Sequence, residues 1–588
     1  MANEIGKKHR SAPRSDSSLE RRGLLRVGTL ITAFTGASAI SAVGATGAQA
    51  VPVDATIFDA YVPLAEKGAA SGVAALDPEA KVPFSQLPDL SSLYGPDNGG
   101  KPVGKDELIV NVRDHGVKGD AVKKSSGGGI SAGSAAFTGA GFTAADVGKA
   151  FYAVGAGTAA ATLSTAIAAY VSPTEITLAA PAVTTVADAA YMYGTDDTAA
   201  IQALLNSVSN KTHNAFLFPR GSYITAGLHL KSNTRLIGAG RGGWAYEFYE
   251  RSTRLIARPG VTTAGLINDY KGTVGGNVYI ADMMLDGAKQ YHAKPCTGIY
   301  LMDSTTSADS LWNLERVMVK DFSGDGTYFG AWRRANRVNE CHFVGNAGHG
   351  SVYAGTDNSA IQSMWAMNGG NGLEMLQGAN HFYGADIFNN TGHGVRIVPL
   401  GRMNHFVSCF FDTNKKCGVY TEAKNTSLVQ CRWTSNSQEA DGVYPDVDIV
   451  AGPSGVTLIN PTFYAAVPAL ANLPHSGIRA TGNTGSNLVY VVGFSHDPGT
   501  ITWRRGSYVE TTVGLLHKGF SFADGTILQT GSSTGTRLGG AATQKLAFWG
   551  ARPITRPTVT GSRGGNAAVT ALLTQLANMG LITNNTTV

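Results

Sequence analysis

Charge is scarce in this chain: Asp, Glu, Lys and Arg together make up 15% of 588 residues, and the formal net charge is +5. Several of the positive charges fall near the N-terminus, so the remaining body is close to neutral. No basic surface is left for a nucleic-acid partner. Cysteine is also scarce, with Cys296, Cys341, Cys409, Cys417 and Cys431 and no C-x-x-C pair. That spacing speaks against a structural zinc site and leaves disulfide and free thiol both open. Past residue 50 no segment is long and apolar enough to span a bilayer. What the chain has in quantity is glycine, 74 residues, beside 43% hydrophobic residues. Many tight turns joined by short strands fit that mixture better than helices do. The length exceeds one ordinary core, which leaves several domains or a repetitive solenoid.

The N-terminus reads as an export address. Lys7, Lys8, His9, Arg10 and Arg14 lead into the adjacent Arg21 and Arg22, a weakly apolar segment follows, and Ala48-Gln49-Ala50 closes it like a signal-peptidase site. The paired arginines resemble a twin-arginine signal, which implies an exported, extracellular protein cleaved after Ala50. Residues 51–105, rich in Pro, Gly and Asp, read as a linker.

The middle of the chain repeats. Segments starting at Cys341, Ser363, Ala385, Cys409 and Cys431 align with spacings of 22, 22, 24 and 22 residues. Their third positions are Phe343, Trp365, Ile387, Phe411 and Trp433, a stack of large apolar groups; their sixth are Asn346, Asn368, Asn390, Asn414 and Asn436. A second asparagine row, Asn336, Asn358, Asn380 and Asn404, precedes the starts, and Gly350, Gly372, Gly394, Gly418 and Gly442 open the next strands. A period of this length with internal asparagine ladders defines an all-β fold, a parallel β-helix of about 22–24 residues per coil.

Two flanking motifs carry a family resemblance. Asn111-Val112-Arg113-Asp114-His115-Gly116-Val117-Lys118-Gly119-Asp120 and Thr195-Asp196-Asp197-Thr198-Ala199-Ala200-Ile201 together resemble the opening of the pectate-lyase-like superfamily, and Phe216-Leu217-Phe218-Pro219-Arg220-Gly221-Ser222-Tyr223 resembles its first full coil. The resemblance implies a right-handed β-helix and polysaccharide substrates, and it brings no catalytic residue with it. Ile201, Leu204, Leu205 and Val208 have helical spacing, with Thr195 or Asp196 as N-cap, so a helix is expected to close the end of the solenoid. Residues 121–194 read as a β insertion with strands near 150–154 and 175–178. Residues 72–88 and 545–566 resemble segments of phage tail proteins. The helix expected over 567–581 puts Val569, Leu572, Leu573, Leu576 and Met579 on one face, and with that resemblance it points to a homotrimer built through residues 501–588. The β-helix itself is placed at 106–500.

Side chains at the second and fourth aligned positions point away from the core. Coil by coil they are Met318/Lys320, His342/Val344, Met364/Ala366, Asp386/Phe388, Phe410/Asp412 and Arg432/Thr434. Asp386 and Asp412 fall diagonally on adjacent coils, their Cα atoms about 8 Å apart, a workable spacing for a catalytic carboxylate pair. Arg432, His342 and Lys320 extend this face toward an acidic sugar. The neighbouring strand offers Glu374, Arg396, Tyr420 and Tyr444 for substrate binding, while a Glu374–Arg396 ion pair is the plainer alternative. Gly392-His393-Gly394 invites comparison with polygalacturonases, but Gly348-His349-Gly350 repeats it two coils earlier, so both are read as turns. Asp282 and Asp286 read as turn formers, with Asp441, Asp446 and Asp448 in a later loop. The function expected is cleavage of a polysaccharide by hydrolysis or by elimination, with no cofactor unless elimination requires calcium. The alternative is a glycan-binding adhesin like a tail spike.

Overall fold

A computed structural model of the chain describes residues 109–209, 214–243, 252–261, 263–270, 276–305, 308–450, 455–464, 472–481, 489–493, 495–496, 509–511, 543–546 and 554–588. The export signal with its cleavage point, and the linker, lie outside the described residues.

Three long parallel sheets wind about one core. Sheet 1 has 12 strands, from Val110–Asn111 to Val489–Val492; sheet 2 has 11, from Gly221–Thr225 to Ser495–His496; sheet 3 has 11, from Leu228–Leu230 to Val509–Thr511. Each coil contributes one strand to each sheet in turn, giving a right-handed parallel β-helix. The aligned repeats are in register: Phe343 pairs with Trp365, Trp365 with Ile387, Ile387 with Phe411, and Phe411 with Trp433. The rings stack coil on coil, Phe343 on Trp365 at 5.2 Å and Phe411 on Trp433 at 5.3 Å, and Phe463 continues the row at 5.2 Å. All are inaccessible or nearly so, each worth about 1.5–3 kcal/mol of burial.

Both asparagine ladders form. Asn368 Nδ2 donates to Asn390 Oδ1 at 2.9 Å, Asn390 to Asn414 at 2.9 Å, and Asn414 to Asn436 at 2.9 Å, while each Oδ1 also accepts a backbone N–H. The second row runs Asn336–Asn358–Asn380–Asn404 in the same way. The glycines follow from the ladder. A Cβ built on Gly394 would lie 2.5 Å from the Gly418 carbonyl and 2.9 Å from the Asn414 amide. The fifth glycine is a correction: Gly418 pairs with Asp446, not Gly442, because residues 435–446 form a longer loop. There Asp446 Oδ1 takes the amide proton of Asn436 at 2.8 Å and ends the row.

The bends use left-handed backbone at residues that are not glycine. Arg316, Glu340, Gln362, Ser408 and Gln430 form one row between sheets 1 and 2, with φ from 46° to 54°. Such geometry costs roughly 1–2 kcal/mol per residue, and the inter-coil hydrogen bonds on both sides offset it.

Helix α1, Thr198–Asn206, closes the first coil with Ile201 and Leu205 inaccessible in the core. Its N-cap is Asp197, not Thr195 or Asp196, and the Asp197 carboxylate accepts from the Lys118 and Gly119 N–H groups at 2.7 and 3.0 Å. Asp196 Oδ1 takes the Thr198 N–H instead. The two halves of the opening motif are thus one unit, parted in sequence by the insertion. Gly119 sits at φ +63°, with the Tyr223 ring 2.4 Å from where a Cβ would be.

The insertion is a closed six-stranded barrel, from Val122–Ile130 to Val186–Gly194, and it includes the anticipated Ala150–Ala153 and Glu175–Leu178. At the other end, Val509–Thr511 still pairs with Ile478–Thr481, so the solenoid passes residue 500. The C-terminal unit is a strand–helix–strand: Thr558–Ser562 lies parallel to Thr583–Thr587, with α2, Ala567–Asn578, between them. None of α2 is buried; Leu572 is 59% and Met579 72% exposed. Among the described residues no helix is long and apolar enough to cross a membrane.

Candidate functional site

The outward face of sheet 2 places the residues read as a carboxylate pair on one floor. Asp386 pairs across the coil with Phe410, and Phe388 with Asp412. Two carboxylates and two phenyl rings therefore form a checkerboard, each acid flanked by a ring along its strand and by another on the next coil. The sequence places Phe388 and Phe410 outward with the acids by alternation but assigns the rings no role. Asp386 is exposed; Phe388, Phe410 and Asp412 are half-buried.

The rings set the electrostatics. Burial raises the Asp412 carboxyl to about 6, and its Oδ1 has no hydrogen-bond partner. Burial also raises Asp386, but the Arg432 guanidinium pulls it back. Arg432 occupies the same column as Asp386, two coils on and across Phe410. The two carboxyls thus differ, Asp412 favouring its proton and Asp386 partly held as the anion.

The rest of the face is cationic or apolar. Lys320, His342, Met364 and Asp386 follow one another on successive coils. Lys320 lies 3.1 Å from Asp321. His342 is pushed down to about 4 by burial and by the nearby Arg241, and its buried Nδ1 lacks a partner. Arg241, a residue with no sequence signal, reaches the Glu340 carbonyl at the bend between sheets 1 and 2. Lys289 stands at the opposite edge, where Nζ donates to the Gly345 carbonyl and lies 3.5 Å from Asp321.

Two long sheet 2-to-sheet 3 connections, residues 287–296 and 435–446, flank five short ones. The floor from Lys320 to Arg432 lies between them. Asp286 is a correction: it is a strand residue on sheet 2, 2% exposed, bound by Lys123 Nζ at 2.7 and 2.9 Å and by Arg254 at 2.7 and 2.9 Å. Asp282 does sit at a bend, at φ 55° and paired with Arg316.

Glu374, Arg396 and Tyr420 face outward from sheet 3, a different side of the solenoid, and do not join the acid pair. Glu374 is buried, accepting from Asn371 Nδ2 at 2.6 Å and paired with Arg396. The ion-pair reading therefore describes its geometry. Tyr444 is a correction: Tyr420 pairs with Asp448, and Tyr444 lies in the 435–446 loop, bonded to Glu439. The six-residue excess of that loop over the preceding connections displaced the alignment.

His349 and His393 belong to a turn ladder. Asp325 Oδ1 accepts from the His349 N–H at 2.6 Å, His349 Nδ1 from Asn371 at 2.9 Å, Asn371 Oδ1 from His393 at 2.7 Å, and His393 Nδ1 from Cys417 at 3.3 Å. Burial, with Lys416 and Arg396 nearby, pushes His393 down to about 3. All five cysteines are buried free thiols.

Calcium takes roughly six to eight oxygen ligands. The floor offers two separated carboxylates, and among the described residues no three His, Cys, Asp or Glu side chains converge to hold a metal ion. That donor set does not fit a protein-held calcium, and no step below runs through one.

The winding of three parallel sheets and the helix that closes the first coil define a right-handed parallel β-helix protein. No family model matches the chain. Among curated proteins, it is 27% identical over 141 residues to mannuronan C5-epimerase AlgE1 of Azotobacter vinelandii, covering 22% of this chain and 10% of the epimerase. Mannuronan C5-epimerase AlgE2 of the same organism is 28% identical over 141 residues, and the match spans 13% of its length. Among solved structures, the A-module of the Azotobacter vinelandii mannuronan C-5 epimerase AlgE4 aligns with TM-score 0.41 and 17% identity over 54% of this chain and 96% of the module. The enzymatically active domain of bacteriophage CBA120 tailspike protein 2 aligns with TM-score 0.41 and 14% identity over 68% of this chain and 58% of the phage chain.

Proposed function

We propose that this protein cleaves an anionic polysaccharide by hydrolysis on the outward face of sheet 2. The observation that carries the proposal is the Asp386/Phe388–Phe410/Asp412 checkerboard, in which one carboxyl titrates at about 6 and the other lies under the influence of an arginine. In the reaction Asp412 donates its proton to the glycosidic oxygen as the C1–O bond breaks. Asp386 takes a proton from the water that attacks C1, and Arg432 and Lys320 meet the carboxylates of the sugar chain. A Cα separation of about 8 Å leaves room for that water, the arrangement of an inverting hydrolase. The phenyl rings stack on sugar faces. The epimerase relatives, named for mannuronan, make polyuronates the first substrates to try. The proposal also has the protein exported through residues 1–50 and assembled as a homotrimer through its C-terminal unit.

The experiment is a panel of alginate, polygalacturonate and neutral polysaccharides, assayed for new reducing ends and for the absorbance of unsaturated uronate. Reducing ends without unsaturation are expected, with Asp386→Asn and Asp412→Asn each losing about 10²–10⁴ in rate. Unsaturated product would replace hydrolysis by elimination. Glycan binding without turnover would leave an adhesin.

A further inference from the structure

Sheet 2 has eleven strands, yet its outward face is not open along its whole length. At the first coils the outward residues are as buried as a core: Ile224, Ile256, Met284 and Met318 are 0% exposed and Asp286 2%. The barrel covers the column that carries Ile224, Ile256 and Asp286. Tyr152 and Met192 of the barrel pack in one cluster with Ile224, Ile256, Ala288 and Tyr291. Lys123 of the barrel closes both Asp286 oxygens at 2.9 and 2.7 Å, with Arg254 on the other side. Connection 287–296 joins the same mass: Tyr291 Oη donates to the Lys124 carbonyl at 3.2 Å, and Thr162 Oγ1 to the Tyr291 carbonyl at 3.0 Å. One coil later Lys320, paired in register with Asp286, is part-exposed, as are His342 and Met364 on the next two coils, while Met318, Val344 and Ala366 beside them stay buried, and Asp386 is exposed.

We propose that the barrel is a fixed stop at one end of the groove, so that a polysaccharide enters by a chain end and is cut at a set distance from it. This rests on the reading of sheet 2 as the glycan floor. Lys320 and Asp386 are three coil steps apart on neighbouring columns, Lys320 pairing with Val344 while His342 pairs with Met364 and Met364 with Asp386. At about 4.8 Å per coil the interval is roughly 14 Å, room for a short oligosaccharide and not for a through-running polymer. Lys289 and Lys320 stand at the stop, where a terminal uronate would arrive. The stop is held in place by a buried carboxylate shared by two cations, since withdrawing either would leave its charge uncompensated.

The test separates binding mode from catalysis. The Asp386→Asn/Asp412→Asn protein is titrated calorimetrically with alginate and with polygalacturonate, each in a long and a shortened preparation at equal mass concentration. With a stop, bound protein per gram of polymer rises in direct proportion to the number of chain ends. The wild-type enzyme then releases fragments of near-uniform length from the start of the reaction. Stoichiometry that follows mass and ignores chain ends, or a broad early product ladder, overturns the stop while leaving the glycan floor in place. No binding to either polymer overturns the floor itself, and the stop with it.

Discussion

Asp412 ties stability to chemistry at one residue. Its folded carboxyl titrates at about 6, above the ordinary 3.8. A raised carboxyl contributes stability below pH 3.8 that is lost as pH rises through 6, so at neutral pH the ionised form is a burden on the fold. Asp412→Asn should therefore raise the unfolding free energy at pH 8 by about 1–2 kcal/mol, after discounting for its partial exposure, and should leave pH 3.5 almost unchanged. Denaturant melts at the two pH values check this. On the proposed mechanism the same group should set the alkaline limb of kcat/KM near pH 6, above which Asp412 would no longer carry the proton to deliver, and a pH–rate profile checks this. His393 works in the opposite sense. Held down to about 3 from 6.5, it stays neutral in the fold, and its contribution fades as pH falls from 6.5 toward 3, by roughly 1.4 kcal/mol per unit. Asn371 fills the equivalent place in the turn ladder and makes the same acceptor contact. His393→Asn should thus fold normally and show a shallower acid-side slope of stability, measurable by melts between pH 4 and 6.5.

Among elements, each asparagine ladder and the glycine row behind it act as one device. The amide rows need space that only glycine leaves, and the glycines would weaken the sheet without amides to bridge the coils. Gly394→Ala should cost more than removal of a methylene elsewhere, about 2–4 kcal/mol, because its Cβ meets a carbonyl and an amide that are both fixed by the next coil. Asn390→Ala should fall in the same range, since it orphans the Asn368 amide and the Asn390 rung together. Thermal melts of the two variants and the double variant check the coupling; their costs should add to less than the sum of the singles.

At the scale of the molecule, the C-terminal unit has no core of its own. Val569 and Leu572 on α2, and Met579 and Leu581 just past its end, are all more than a third exposed, and among the described residues two strands pair beside the helix. Two strands and a single helix with this much apolar surface in water do not stabilise themselves. If the proposed trimer forms through this unit, removing residues 554–588 should give a monomer by light scattering while leaving the β-sheet circular dichroism of the solenoid unchanged. Loss of sheet signal on truncation would instead mean that assembly holds the solenoid together.

The sequence by itself determined the winding, because stacked coils make identical demands at each turn: a ring inside, an asparagine at the bend, a glycine to admit its amide. Repetition exposes those demands without any coordinates. It also determined which acids face out, since alternation along a strand is strict. Only the tertiary structure decided what those acids are worth. The raised carboxyl of Asp412 depends on phenyl rings contributed by two coils, and Arg241 reaches His342 from a distant bend. Tyr444 and Gly442 were misplaced because one longer connection breaks the period, and a period cannot report its own interruption. Asp286 was misread as a turn former because its partner Lys123 stands 163 positions earlier, in an inserted barrel. Where the barrel lands on sheet 2 follows from packing between residues far apart in sequence, for which no local pattern exists.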